Sequence, residues 1–318
     1  MRGAHLSRSG RIGHVRATTA LSGILLDMSP ASLLVQINER HGTTFTLWAH
    51  YLHGESAFGA HAVSDRDGRR GVLKLWEWQP DFVARQRALA AVLARLRDGR
   101  YPAPLPFLIG CTATTCYCIQ ERLPGRPLQT LAPHLLPRLL ALNALQRCQA
   151  LPGPQDWPHR IVTTVLHGGD GYCLLESLRT YSSTTAELLS AVQTLVRRHA
   201  DTPCATGDLV HYDFNPANLL MHAGQISGVI DWQDPCSGDC AFDLSTLLCY
   251  TWEHPEVRDR LWASALERAG PEMLGVYLAH MILRQVDWAI RHHGAAATAA
   301  WCRTAHSILT ACRALGVS

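Results

Sequence analysis

The strongest constraint on the fold is a polar loop followed by two short apolar runs. Asp213 and Asn218 are five positions apart in a turn-forming stretch, and Asp231 comes after the second run. The runs, 219–221 and 226–230, are predicted to pair as a β-hairpin that returns Asp231 to the side of Asn218. Two carboxylates and an amide oxygen around one point suit Mg²⁺. The alternative is three ordinary turn residues, because Asp and Asn favour turns.

The basic residues are nearly all arginine. Of the 29 Lys and Arg residues, Lys74 is the one lysine. It lies in an apolar run, 72–76, that follows the turn at 65–68 and is predicted to be a strand. The lysine either contacts an anionic ligand or belongs to an edge strand with its stem on apolar surface.

The composition excludes several classes of protein. With 29 basic and 26 acidic residues the charge is +3, and the basic excess lies in the first 30 residues, so neither nucleic acid nor a membrane is an expected partner. No apolar run approaches the roughly 20 residues that span a bilayer. The 11 cysteines are spread without a CxxC pair, which predicts reduced thiols in a cytoplasmic protein. The oligomeric state is left open.

Strand patterns dominate the first part of the chain and helical patterns the second, which predicts an α+β fold. Residues 1–30 are interpreted as a flexible leader, with a targeting peptide as the alternative. Asp81 is predicted to cap the first long helix. The segment 152–185 is predicted to be irregular.

The loop and hairpin resemble a known family. His211-Tyr212-Asp213, Asn218 and Ile230-Asp231-Trp232 stand in the order and spacing of the aminoglycoside phosphotransferase family, whose relatives include choline kinase. Gly238–Leu244 and Gln120–Leu128 are similar to two further elements of that family. Tyr212 stands where the family often has glycine.

This resemblance implies a protein-kinase-like two-lobed fold, with a small antiparallel β-rich N-lobe and a larger helical C-lobe. The implied boundaries are 31–120 for the nucleotide-binding lobe, 121–124 for the hinge and 125–318 for the catalytic lobe. The resemblance also implies Mg²⁺ and ATP or GTP as the phosphate donor.

The site residues follow from the resemblance position by position. Asp213 would be the catalytic base or would orient the acceptor hydroxyl, and His211 would act with it by bracing the loop. Asn218 and Asp231 would hold Mg²⁺, and Lys74 would contact the nucleotide phosphates.

Further residues are implied to bind the nucleotide. Gln120, Glu121 and Leu123 would lie at the adenine, and the turn with Gly54, Glu55 and Ser56 would cover the phosphates. The family's fold pairs the strand lysine with a helix glutamate, but no acid lies between Asp81 and Asp98. Glu55, Asp81 or another acid is therefore expected to be the partner of Lys74.

The acceptor residues are expected in the C-terminal part of the chain. Glu253, His254, Glu256 and Asp287 are the candidates, with Asp259 beside the first three. The cluster at 253–259 is either an acidic wall for a cationic substrate or a solvated helix start.

The function implied is transfer of a γ-phosphate to a hydroxyl of a small molecule. Because members of the family often act on antibiotics, the resemblance implies an antibiotic as the acceptor, either an aminoglycoside or an antibiotic of another class. The alternatives are a metabolic kinase for a sugar, a choline-like alcohol or an amino alcohol, and a non-catalytic nucleotide-binding module.

Overall fold

The computed structural model describes residues 29–51, 60–153, 156–169 and 171–317. The predicted leader lies outside the described residues except for its last two positions. No helix in the described part of the chain is long and apolar enough to cross a membrane. All 11 cysteines are free thiols.

Five antiparallel strands form the sheet of the first lobe in the order β1-β2-β3-β5-β4. The strands are β1 (Thr46–Tyr51), β2 (Ala60–Ser64), β3 (Arg70–Glu77), β4 (Pro106–Cys111) and β5 (Thr115–Glu121). Helix α1 (Pro30–His41) covers one face of this sheet, where Leu33, Leu34 and Ile37 pack against residues such as Leu73. Because β3 is the central strand, hydrogen-bonded on both sides, Lys74 is held in a fixed register between Ala60 and Cys118.

Helix α2 (Phe82–Asp98) lies between the two lobes. Its apolar face, including Leu89 and Leu93, belongs to the large core of the second lobe and not to the core beneath α1. The cap prediction is wrong. Asp81 occupies the N-cap position, but its backbone is left-handed with φ 57° and its side chain makes no capping hydrogen bond. A residue in that conformation cannot direct its carboxylate at the first-turn N–H groups as an extended N-cap does.

Helices dominate the second lobe, as predicted. They are α3 (Leu136–Leu145), α4 (Trp157–His167), α5 (Leu175–Tyr181), α6 (Ser183–Arg198), α7 (Ala241–Tyr250), α8 (Pro255–His292) and α9 (Gly294–Ala314). The short strands are β6 (Arg126–Pro127), β7 (Asp208–Val210), β8 (Leu219–His222), β9 (Gln225–Val229) and β10 (Cys236–Gly238). Strands β7 and β10 pair antiparallel, and β8 pairs antiparallel with both β6 and β9. Helix α8 is broken at Gly270, whose φ is 74°, so it runs as two helices.

The prediction of an irregular segment at 152–185 is wrong, because α4 and α5 lie wholly within it and α6 begins at its end. The side chain of Asp156 accepts a hydrogen bond from the N–H of His159 and caps α4, with Pro158 in the first turn. Asp followed by Pro is a helix-start signal. The prolines and glycines that flank these helices concealed both from the sequence pattern.

Candidate active site

The predicted hairpin is present and consists of β8 and β9. Leu219 is paired with Val229, and the N–H of Ile230 donates to the carbonyl of Asn218 at 2.9 Å. This closure brings Asp231 back beside Asn218, as the spacing predicts.

The loop before the hairpin is rigid because its own side chains bond its backbone. Asn215 Oδ1 accepts from the N–H groups of Ala217 and Asn218, which starts a short 3₁₀ turn over Pro216–Asn218. Asn218 Nδ2 donates to the carbonyl of Asp213 at 2.8 Å and to its Oδ2 at 2.9 Å. Asn218 Oδ1 is therefore the amide atom left for a cation.

His211 joins the loop to the end of the hairpin. Its Nε2 lies 2.8 Å from the carbonyl of Ile230, which can only accept, so Nε2 carries the proton. Nδ1 then accepts from the N–H of Asp213 at 3.3 Å. Burial lowers the pKa of the imidazole, which keeps the ring neutral and both contacts intact. The geometry is that of a brace.

Asp243, on α7, orients the loop from below. Its two oxygens accept from the N–H groups of His211 at 2.9 Å and Tyr212 at 3.0 Å, and Gln146 Nε2 donates to it at 2.6 Å. Burial raises the pKa of Asp243 to about 7, against these hydrogen bonds, which lower it.

The partner of Lys74 is Asp231. Lys74 Nζ donates to Asp231 Oδ1 at 2.5 Å, and the lysine side chain is 12% exposed. Of the partners expected from the sequence, Glu55 lies outside the described residues and Asp81 is exposed at the start of α2. Another acid, from the second lobe, fills the position.

Two arginines near Asp213 were missed by the sequence analysis. Arg284, on α8, donates through Nη2 to Asp213 Oδ1 at 2.9 Å and through Nη1 to the carbonyl of Tyr212 at 2.7 Å. Burial would lower the pKa of Arg284, yet Asp213 and two phenols raise it. Arg160, on α4, lies over the Tyr212 ring, 4.3 Å from its centroid. No local spacing signals either residue, because both lie on helices far from the loop in sequence.

These groups surround a cavity of about 540 Å³. It is walled by the loop, the residues after the hairpin, α4 and α8. The lining residues include His211, Tyr212, Asp213, Asn215, Asp231, Asp234, Arg160, Tyr172, Tyr250, Arg284, Gln285, Asp287 and Trp288. Aromatic rings and charges of both signs therefore face one space beside Asp213.

The predicted nucleotide residues lie on the sheet side of Lys74. Gln120 and Lys74 line a smaller cavity together with Gln86 of α2. The Glu121 side chain forms an ion pair with Arg97. Leu123 lies against Gly228 of β9. The predicted phosphate turn with Gly54, Glu55 and Ser56 lies outside the described residues.

The four predicted acceptor residues do not lie together. Asp287 lines the cavity, where it accepts from Ser177 Oγ at 2.6 Å and pairs with Arg291 at 2.8 Å. Glu253, His254 and Glu256 are exposed at the start of α8 and are not among the residues that line the cavity.

The donor atoms at the end of the hairpin fit a magnesium ion. Asp231 offers a carboxylate and Asn218 an amide oxygen, and the backbone bond between Ile230 and Asn218 keeps the two residues adjacent. Hard oxygen donors of this kind are the ligands that Mg²⁺ takes.

Comparison with solved structures shows the fold. A thermostable mutant of aminoglycoside phosphotransferase APH(4)-Ia, in a ternary complex with AMP-PNP and hygromycin B, is 20% identical, with a TM-score of 0.64 over 87% of this chain and 97% of that one. Choline kinase LicA from Streptococcus pneumoniae is 14% identical, with a TM-score of 0.60 over 88% and 99%. Amicoumacin kinase hAmiN, with AMP-PNP, Ca²⁺ and Ami, is 15% identical, with a TM-score of 0.60 over 87% and 93%.

These likenesses confirm the two-lobed α+β fold of protein-kinase-like phosphotransferases. No curated protein matches the sequence significantly. The model of the phosphotransferase enzyme family matches residues 53–276, more than half of the chain. The match confirms the family predicted from the loop and hairpin, and the enzyme class with it. The chain belongs to the phosphotransferase enzyme family.

Proposed function

We propose that this phosphotransferase moves the γ-phosphate of ATP or GTP to a hydroxyl of a small molecule, with an antibiotic as the first acceptor class to test. The observation that carries the proposal is the position of Asp213. Its carboxylate is held by Asn218 and Arg284 at the wall of the acceptor-sized cavity, which Asp231 also lines.

Asp213 is proposed to orient the acceptor hydroxyl. One carboxylate oxygen receives Asn218 Nδ2 at 2.9 Å and the other receives Arg284 Nη2 at 2.9 Å. Each oxygen retains a further lone pair for the hydroxyl proton. Phosphoryl transfer depends mainly on positioning and charge stabilisation, so a carboxylate fixed in this way is suited to the reaction.

Lys74 is proposed to bind the α- and β-phosphates of the nucleotide, with Gln120, Glu121 and Leu123 at the base and residues 54–56 over the phosphates. The ammonium is largely shielded from water, so its charge acts on a phosphate through a medium of low dielectric. Nucleotide binding would exchange the contact with Asp231 for contacts with phosphate oxygens.

Asn218 and Asp231 are proposed to hold Mg²⁺. When bound, the ion would offset the negative charge of the nucleotide phosphates. The chain's own contribution is the hairpin closure, which fixes the two side chains before any ligand arrives.

The test is a screen for ADP and GDP release over antibiotics and common alcohols, with mass spectrometry of the product. Asp213→Ala is expected to abolish phosphate transfer and to retain stabilisation by Mg²⁺-nucleotide in a thermal melt. Unchanged turnover in this variant would overturn the role of Asp213. Absence of transfer to every acceptor, with nucleotide binding retained, would instead support a non-catalytic module.

A metabolic acceptor is the second candidate, and Arg160 favours it, because a guanidinium without a described carboxylate partner suits an anionic group of a metabolite. A sensitive bacterial host that expresses the protein separates the two. Resistance to a member of an antibiotic panel supports the first candidate. Resistance to none, with turnover of a metabolite, supports the second.

A further inference from the structure

The cavity beside Asp213 contains one cation, Arg160, with which no carboxylate of the described residues forms an ion pair. Arg284 pairs with Asp213 at 2.9 Å, and Arg291 pairs with Asp287 at 2.8 Å. Lys74 pairs with Asp231 at 2.5 Å. Among the residues that the structure describes, no carboxylate forms an ion pair with Arg160, which lines the same cavity.

Arg160 is held in place by aromatic groups. Its guanidinium lies 4.3 Å from the centroid of the Tyr212 ring. The Tyr212 ring is in turn stacked on Phe242, with 5.2 Å between the ring centroids and an interplanar angle of 12°. Arg284 also lies over the Tyr212 ring, 5.4 Å from its centroid, so two cations and one aromatic ring contact Tyr212. The Tyr172 hydroxyl is a further hydrogen-bond partner of the guanidinium of Arg160. A guanidinium has five N–H donors, so a ring and one hydroxyl leave donors for an acceptor.

Tyr212 is itself fixed by contacts that outweigh an unfavourable backbone. Its φ is 72°, the left-handed region that costs a residue with a Cβ roughly 1–2 kcal/mol. Its hydroxyl lies 2.7 Å from that of Tyr172 and 3.1 Å from His280 Nε2. Such a conformation persists where the surroundings over-determine it. The position of Arg160 is therefore prepared before a ligand binds.

The remaining acid of the cavity does not neutralise Arg160. Asp234 is exposed at the rim, whereas the guanidinium is partly buried against Tyr212. The acidic group expected from the sequence, Glu253 and Glu256, lies on the surface away from the cavity. An acceptor that brings a carboxylate or a phosphate would thus supply the ion-pair partner that Arg160 lacks among the described residues.

We propose that the acceptor carries an oxyanion, a carboxylate or a phosphate, that binds the N–H edge of Arg160 while its hydroxyl is held at Asp213. The inference rests on the proposed function and narrows its substrate class to anionic alcohols. A guanidinium matches a carboxylate or a phosphate with two parallel hydrogen bonds, which gives both affinity and orientation.

The test compares acceptors in pairs that differ only in the oxyanion. Glycerate is compared with glyceramide for the carboxylate arm, and glycerol phosphate with glycerol for the phosphate arm, each with ATP and Mg²⁺. The inference predicts that the anionic member of at least one pair has a kcat/KM at least tenfold higher. The arm with the higher ratio identifies the oxyanion.

Arg160→Gln is expected to lower that ratio by roughly tenfold or more, through a raised KM for the anionic member. Arg160→Lys keeps the charge without the planar fork and should restore part of it. Arg179→Gln, at an exposed arginine of α5, is the matched control and should keep the wild-type ratio. An equal loss for both members of each pair in Arg160→Gln would assign only a structural role to the arginine and would overturn the inference.

A binding measurement distinguishes failure of this inference from failure of the proposed function. Glycerate and glycerol phosphate are titrated into protein saturated with AMP-PNP and Mg²⁺, so that the nucleotide phosphate site is filled. Binding that weakens at least tenfold in Arg160→Gln supports the oxyanion site even where no transfer occurs, in which case the proposed function alone fails. Transfer to neutral or cationic acceptors in preference to anionic ones overturns the oxyanion site and leaves the proposed function standing.

Discussion

Lys74 and Asp231 are 157 positions apart in sequence, and their side chains meet at 2.5 Å between the two lobes. The contact joins the central strand of the first sheet to the end of the β8–β9 hairpin. It places the chain's one lysine on the carboxylate that is proposed to hold the metal. The ion pair resolves the question raised by the missing helix glutamate, because the lysine is oriented without it.

Lys74→Met is expected to lower kcat/KM about a hundredfold or more, since a shielded charge on the phosphates is lost. The change in unfolding free energy should be at most about 1 kcal/mol, because Asp231 remains partly solvated. Steady-state kinetics and urea denaturation measure the two effects. Lys74→Arg should not restore activity, because a planar fork replaces a compact ammonium. Arg66→Gln, exposed in the turn after β2, is the control. Wild-type turnover in Lys74→Met would contradict the assignment.

Arg284→Gln is expected to reduce kcat about tenfold or more and to leave the Kd for nucleotide near the wild-type value. The reason is that Arg284 holds Asp213 Oδ1 and the Tyr212 carbonyl on the acceptor side of the site. Steady-state assays of ADP release measure kcat, and titration with nucleotide measures the Kd. Arg258→Gln, near the exposed start of the same helix, should behave as wild type. A loss confined to nucleotide affinity would show that the residue acts elsewhere.

Tyr212→Gly tests which effect dominates at a strained aromatic position. Glycine would relieve the cost of the φ of 72°, roughly 1–2 kcal/mol. It would also remove a buried ring that contacts Phe242 and Trp157, a loss of about 3–5 kcal/mol. The net result should be a protein about 1–4 kcal/mol less stable by urea denaturation.

Tyr212→Phe removes only the hydroxyl and its bonds to Tyr172 and His280, and should cost about 1–2 kcal/mol. Tyr181→Phe removes an exposed hydroxyl and should cost almost nothing. If the Tyr212→Gly variant were more stable than the wild type, the cost of the backbone strain would exceed the free energy that packing of the ring contributes.

His280 is expected to make stability fall at acid pH. Burial, with Arg284 and Arg160 nearby, lowers the pKa of His280 from 6.5 to about 3. Between these values the unfolded chain binds the proton and the folded chain does not, so stability decreases as the pH falls through 6.5. From pH 7 to pH 5 this amounts to about 2 kcal/mol.

The loss is measured by urea denaturation at both pH values as the difference between wild type and His280→Leu, because Asp243, with its pKa raised to about 7, changes stability in the opposite direction. His280→Leu should lose less stability over the same interval, whereas His222→Gln, at an exposed position of β8, should keep the wild-type dependence. Equal dependence in wild type and His280→Leu would contradict the prediction.

The parts of the site that the sequence predicts are local. Asp213, Asn218 and Asp231 lie within one loop and one hairpin, so their spacing and the pairing of two apolar runs are enough to bring them together. The strand that carries Lys74 is likewise a matter of local pattern. The helices α4 and α5 were missed because glycines and prolines around them masked a short apolar period, although Asp156 and Pro158 carried a start signal.

The contributions of distant helices to the site could not be predicted from the sequence. A local pattern indicates which face of a helix is buried but not which helix that face contacts. Arg284 lies 71 positions from Asp213. Gln86 of α2 lines the same cavity as Lys74, but its side chain is an amide and cannot form an ion pair with the lysine.

By itself, then, the sequence determined the loop, the hairpin and the family of this chain, since each depends on contacts between neighbours in sequence. Only the tertiary structure decided the partner of Lys74, the arginine that holds Asp213 and the position of Arg160 over the ring of Tyr212. Those contacts form between helices and lobes that are far apart in sequence. A charge buried there needs a partner, a carboxylate, a hydroxyl or an aromatic ring, because burial removes the water that would otherwise solvate it.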